Sequence, residues 1–182
     1  MPGDRPALEL AGLVKEFRGR RVVHGLSLAV PRGSLYGLVG PNGAGKTTTL
    51  SMATGLLRPD GGTAHVLGHD VWRDPASAKE VMGVAPDGMR LVEQLSGREL
   101  LSYVGALRRM PRDVTSARAD ELLAVLDLAD DASTVVADYS AGMVKKISLA
   151  AALIHAPRLL VLDEPFEAVD PVSGQTIRTI LR

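Results

Sequence analysis

The stretch YGLVGPNGAGKTTTL, Tyr36 to Leu50, runs from apolar residues into a glycine-rich turn and then into Lys-Thr-Thr. The apolar run Leu35 to Val39 reads as a strand. The segment from about Gly45 to Leu57 reads as a helix, stopped by Pro59 and the turn Asp60-Gly61-Gly62. Between them Gly40, Pro41, Asn42, Gly43, Ala44, Gly45, Lys46 and Thr47 fill the pattern G-x-x-x-x-G-K-[ST] in the place, strand to helix, where it carries chemistry. Glycines let the backbone curl so that successive N–H groups point inward at phosphate oxygens, and the helix start adds the positive end of its dipole. Lys46 would reach the β- and γ-phosphates, Thr47 would offer a hydroxyl to Mg²⁺, and Thr48 would reach the α-phosphate side. A nucleoside triphosphate is the expected ligand.

Outward toward the C-terminus, Leu159 to Leu162 form a short apolar run that delivers Asp163 and Glu164 at its end. An Asp after such a strand can hold Mg²⁺, and a Glu beyond it can polarise a water aimed at the γ-phosphate. Two adjacent carboxylates would also suit the start of a following helix, a reading that weakens beside a phosphate loop. The run VMGVAP reads as a further strand, and Ser96 with Glu99 forms a capping box ahead of a helix to about Arg109. Helical patterns follow over TSARADELLAVLDLAD and from Ala141 to His155. Toward the N-terminus, LELAGLVKEF and RVVHGLSLAV are β-rich segments split by the turn at Arg18-Gly19-Arg20. Strands alternating with helices predict an α/β fold with ligands at strand C-termini.

The 182 residues suffice for one domain with one sizeable core. Lys plus Arg and Asp plus Glu both total 21, so no basic excess marks a nucleic-acid surface and no nucleic-acid partner is expected. The short basic clusters, Lys145 with Lys146 among them, read as solvated faces. The absence of cysteine excludes a disulfide scaffold, a thiolate metal site and a cysteine nucleophile. No secretory signal is visible at the N-terminus, and no apolar run approaches the ~20 residues of a membrane helix. His24, His65, His69 and His155 have no metal-type spacing.

These motifs, with YSAGMVKKISLAAALIHAPRLLVLDEP, resemble the nucleotide-binding domain of ATP-binding cassette (ABC) transporters from about Leu8 to the last residue. The resemblance implies a P-loop NTPase with a mostly parallel sheet, an N-terminal antiparallel β subdomain, and a helical subdomain at about 88–155 within a single domain over 1–182. It makes Tyr139-Ser140-Ala141-Gly142-Met143 the counterpart of the family's signature sequence, which caps the ATP held by the phosphate loop of a second copy. Ser140 and Gly142 would meet the γ-phosphate across that dimer, Phe17 would stack on adenine, and Asp170 would contact the opposite subunit. The cofactors implied are ATP and Mg²⁺. The partners implied are a homodimer mate or related ATPase subunit and a separate transmembrane permease, with the chain cytoplasmic and peripheral to the inner face of the membrane. EQLSGRELLSYVGALRRM and GLLRPDGGTAHVLGHDV look most like ATPase subunits that export drugs, antibiotics or lipids.

Three departures qualify the resemblance. Asp87 stands where the family usually has Gln; a shorter anion there repels the triphosphate unless it ligates Mg²⁺, so Asp87 joins Thr47 and Asp163 as a candidate metal ligand. Ala141 and Met143 replace Gly and Gln in the signature. The family's next strand and its γ-phosphate His do not follow Arg182, and that strand would lie between those carrying the two nucleotide motifs. A C-terminally truncated domain is the expectation, with catalysis assigned to Glu164 and Lys46. The alternative is a domain that binds nucleotide without hydrolysing it.

Overall fold

The computed structural model describes residues 5–88 and 90–165, which fall into two compact units. The first comprises the residues up to Pro86 together with Arg158–Asp163, and the second the residues from Asp87 to Pro157 together with Glu164 and Pro165. Asp170 lies outside the described residues.

In the first unit, β1 (Leu8–Phe17) and β2 (Arg20–Val30) form an antiparallel hairpin around Arg18-Gly19, both at positive φ as a tight two-residue turn requires. With β3 (Gly61–Val66) and β4 (His69–Asp70) they make a four-stranded antiparallel sheet in the order β2-β1-β3-β4. Leu8 and Leu10 alternate with outward-facing Glu9, and a register shift between Leu10 and Leu13, with Gly12 at positive φ, brings Leu13 into the core as well. Onto them pack Met52 and Ala53 of α1 (Lys46–Ala53), Ala78 of α2 (Pro75–Glu80), and Met82 and Val161 of the parallel pair β5 (Met82–Ala85) and β6 (Leu159–Leu162). One core therefore supports both the phosphate-loop helix and the strand that ends at Asp163.

The run Leu35–Val39, expected as a strand, has no strand partner among the described residues, and Leu35 and Val39 are 86% and 92% exposed. Its apolar composition is that of a strand buried on both faces, but a strand exists only through the neighbours that take its backbone hydrogen bonds. α1 also closes earlier than expected: Thr54 caps it, its hydroxyl donating to the carbonyl of Leu50, and Gly55 follows at positive φ.

The second unit packs α3 (Gly97–Leu107), α4 (Arg112–Val125) and α5 (Ala141–Leu153) around Leu100, Leu101, Leu122, Leu123 and Ile147. The capping box at Ser96 and Glu99 forms as expected. α4 starts earlier than the sequence pattern indicated, at Arg112, directly after Pro111. Lys146, expected in solvent, is 5% exposed and faces the carboxylate of Asp127 at 3.6 Å. Among the described residues no helix is long and apolar enough to cross a membrane.

Candidate functional site

The phosphate loop is built by glycines that no other residue replaces without strain. Gly43 and Gly45 have φ of 79° and 84°, a left-handed conformation, and a Cβ on Gly45 would stand 3.0 Å from the carbonyl oxygen of Val22 on β2. Gly45 is the N-cap of α1 and supplies no side chain to the helix start. The N–H groups of Lys46, Thr47 and Thr48 consequently donate to nothing among the described residues, and the first turn holds no acidic side chain. The Lys46 ammonium is folded over the loop, donating to the carbonyls of Gly40 at 2.8 Å and Pro41 at 3.1 Å. Free amides, a helix dipole and a fixed cation converge on one concave turn, whose chemistry suits a polyphosphate. Thr47 is exposed and Thr48 half-buried at the same helix start, and Asn42 and Ala44 lie exposed on the loop.

In the same unit Asp163 extends the β6 ladder by one bond, its N–H donating to the carbonyl of Ala85 at 3.1 Å. It is 8% exposed, and none of the ion pairs among the described residues involves it. A buried carboxylate without a counter-charge is costly, and a bound cation removes that cost. A small cavity lined by Leu50, Ser51 and Thr54 of α1 and by Val161 and Asp163 lies between that helix and the strand pair. The donor set of Thr47 hydroxyl and Asp163 carboxylate is all oxygen, as a hard cation such as Mg²⁺ requires.

In the second unit Ser140 is the N-cap of α5, its Oγ accepting the N–H of Met143 at 3.3 Å, and Gly142 lies in the first turn. Tyr139 anchors this segment: its ring is buried, and its hydroxyl donates to the carbonyl of Asp131. Burial first, and then the nearby Asp131, push the Tyr139 phenol above its usual range, so it stays a donor. Glu164 is exposed and has φ of 49°, a left-handed conformation that a non-glycine residue adopts at a cost of order 1 kcal/mol or more.

Residues 23–167 match the family described as ABC transporter. The chain belongs to the ABC transporter family. Over 97% of its length it is 42% identical to the daunorubicin/doxorubicin resistance ATP-binding protein DrrA of Streptomyces peucetius, of which the match covers 53%. Over 93% it is 35% identical to the linearmycin resistance ATP-binding protein LnrL of Bacillus subtilis (strain 168), covering 55% of that protein. The chain thus spans about half the length of the curated relatives it matches. A solved structure described as that of the ATP binding subunit of an ABC transporter superposes with a TM-score of 0.87 at 27% identity, covering 96% of this chain and 73% of that one.

Within this ABC domain the residue that departs most from expectation, Asp87, has a partner the sequence did not disclose. Lys145 of α5 donates to Asp87 Oδ1 at 2.8 Å and to the backbone carbonyl of Glu164 at 3.3 Å. The hydrogen bond from Lys145 leads the causes that hold the Asp87 carboxyl below its usual range. A carboxyl depressed in the folded state adds stability above its unfolded pKa, and that stability is lost as pH falls through the lower folded value. The contribution is therefore present at neutral pH and disappears only in acid. Both side chains are partly solvated, so the pair is screened. Lys145→Ala and Asp87→Asn are each expected to cost little, and a double-mutant cycle by denaturant melting should give a coupling of about 0.5 kcal/mol. A coupling of several times that would mean the pair is far less screened than its exposure indicates.

Proposed function

We propose that this chain is the nucleotide-binding part of an ATPase that dimerises around ATP and drives export through a separate membrane subunit, at the cytoplasmic face of the membrane. The observation that carries the reading is the glycine-built loop with unpaired helix N–H groups under the Lys46 ammonium. The loop amides and Lys46 stabilise phosphate charge. Thr47 and Asp163 would hold Mg²⁺, which when bound would neutralise charge that develops on the phosphate oxygens. Lys145 competes with a divalent ion for Asp87, so Asp87 is the weakest of the three candidate ligands. Glu164 orients and deprotonates the attacking water, and Ser140 and Gly142 close the site of a second copy. The export role is carried over from relatives named as drug-resistance ATP-binding proteins.

If each site needs the Ser140 segment of a second copy, specific ATPase activity must rise with protein concentration and reach a plateau. Ser140→Ala should lower the plateau, with a separate stability cost of about 1 kcal/mol from the lost N-cap of α5. A specific activity that stays constant over a wide dilution range down to very low protein concentration removes the shared site from the reading. Tight Mg-ATP binding with no turnover at any concentration, with or without a membrane partner, establishes the binding-only alternative, for which the engagement of Asp87 by Lys145 is the supporting observation.

A further inference from the structure

Phe17 is the last residue of β1, paired across the hairpin turn with Arg20, and 45% of it is exposed. It is therefore not a core residue, although the sequence around it is apolar. Lys15 Nζ lies over its ring, 5.5 Å from the centroid. That ammonium is fixed from the other side: it donates to Asp60 Oδ1 at 2.8 Å and to the carbonyl of Arg58 at 2.9 Å. Asp60 in turn grips the strand twice. Its Oδ2 accepts the N–H of Glu16 at 2.7 Å, and its own N–H donates to the carbonyl of Val14 at 2.9 Å. The hydrogen bonds from Lys15 and then from the Glu16 N–H hold the Asp60 carboxyl below its usual range, so the lysine faces an anion at neutral pH. Residues 58–60 belong to the turn that joins the phosphate-loop helix α1 to β3. One ionic clamp thus ties the exit of that helix to the end of the strand that presents the exposed aromatic ring.

We propose that Lys15, anchored by Asp60, is a positioning residue for base recognition, holding Phe17 as a platform on which a purine ring stacks. The inference rests on the reading of the chain as ATP-binding. An unanchored Phe at a strand end samples several rotamers, and stacking a base on it would first have to order the ring. The clamp orders it in advance. The quadrupole of the ring draws the ammonium to one face. With that face taken by the cation, π density is pulled away from the other, which favours contact with an electron-rich purine.

The test separates base from phosphate by comparing binding of Mg-ATP with binding of Mg-tripolyphosphate, which lacks base and sugar. Lys15→Ala in the full chain is expected to weaken ATP about two- to fivefold while leaving tripolyphosphate unchanged. Lys15→Arg, which keeps a cation over the ring, should restore the preference for ATP. In a Phe17→Ala background Lys15→Ala should cost nothing further. The proposal is overturned if Lys15→Ala weakens both ligands alike, as a merely structural clamp would, or if its effect persists without Phe17. It is also overturned if Phe17→Ala leaves the preference for ATP over tripolyphosphate intact. Should Lys15→Ala lower the melting temperature, the comparison of Lys15→Arg with wild type and the milder Asp60→Asn carry the same test. Failure of wild type to bind either ligand is a different result, which sinks the nucleotide reading itself.

Discussion

Glu164→Gln should bind Mg-ATP as wild type does and lose turnover by about 10²–10⁴-fold, the range contributed by a positioned general base. The substitution keeps the shape and hydrogen-bonding reach of the side chain and removes only its charge and basicity. Glu164 is exposed, and its backbone carbonyl is held by Lys145. The left-handed φ of 49° at this position is a local strain of the kind that collects at functional sites, and it is unrelated to the charge that the substitution removes. The variant should therefore melt as wild type does. Equilibrium binding of labelled ATP and steady-state phosphate release together read the result. Unchanged phosphate release would remove Glu164 from the chemistry, and weakened binding would place its charge in ground-state affinity instead.

The features that sequence made legible are those whose physics is local. The loop Gly40–Thr47 could be read because glycines at fixed offsets between a strand and a helix have one good use, and the structure puts Gly43 and Gly45 in the left-handed conformation that use requires. The capping box from Ser96 to Glu99 is a four-residue pattern and equally visible. What the sequence hid is long-range. Lys145 and Asp87 are 58 positions apart, and no local pattern assigns a lysine in a basic pair to a loop that far away. Lys146 is hidden for the same reason: adjacency to Lys145 looks like a charged face, whereas a helix turns by about 100° per residue and sends neighbours to different sides. Leu35–Val39 failed in the opposite sense. Its composition announces a buried strand, but strand pairing is a property of neighbours and none of the described strands takes its hydrogen bonds. Phe17, which the resemblance assigns to adenine, lies exposed at the hairpin end, and the Lys15 ammonium over its ring is a contact that no local pattern announces.

Lys46→Ala should lower affinity for Mg-ATP and for Mg-tripolyphosphate alike, by at least about 10²-fold, because it removes a charge-assisted donor whose target is the phosphate chain. The equal loss on both ligands distinguishes it from the base-selective loss expected at Lys15. Lys46 also donates to the carbonyls of Gly40 and Pro41, so its removal leaves two acceptors of the loop to water. One of these bonds is half-buried and one exposed, and solvent can replace them at small cost. The loop itself is shaped by Gly43 and Gly45 and by the bond from the Ala44 N–H to the Pro41 carbonyl, none of which depends on Lys46. Affinity should fall far more than melting temperature. Lys46→Arg should not rescue binding, since a planar guanidinium is larger than the compact ammonium the loop encloses and points its donors along a fixed fork. Wild-type affinity in Lys46→Ala would mean that the free N–H groups of α1 hold the phosphate unaided, and the cation would then have to act only in the transition state. In that case turnover, and not binding, would carry the loss.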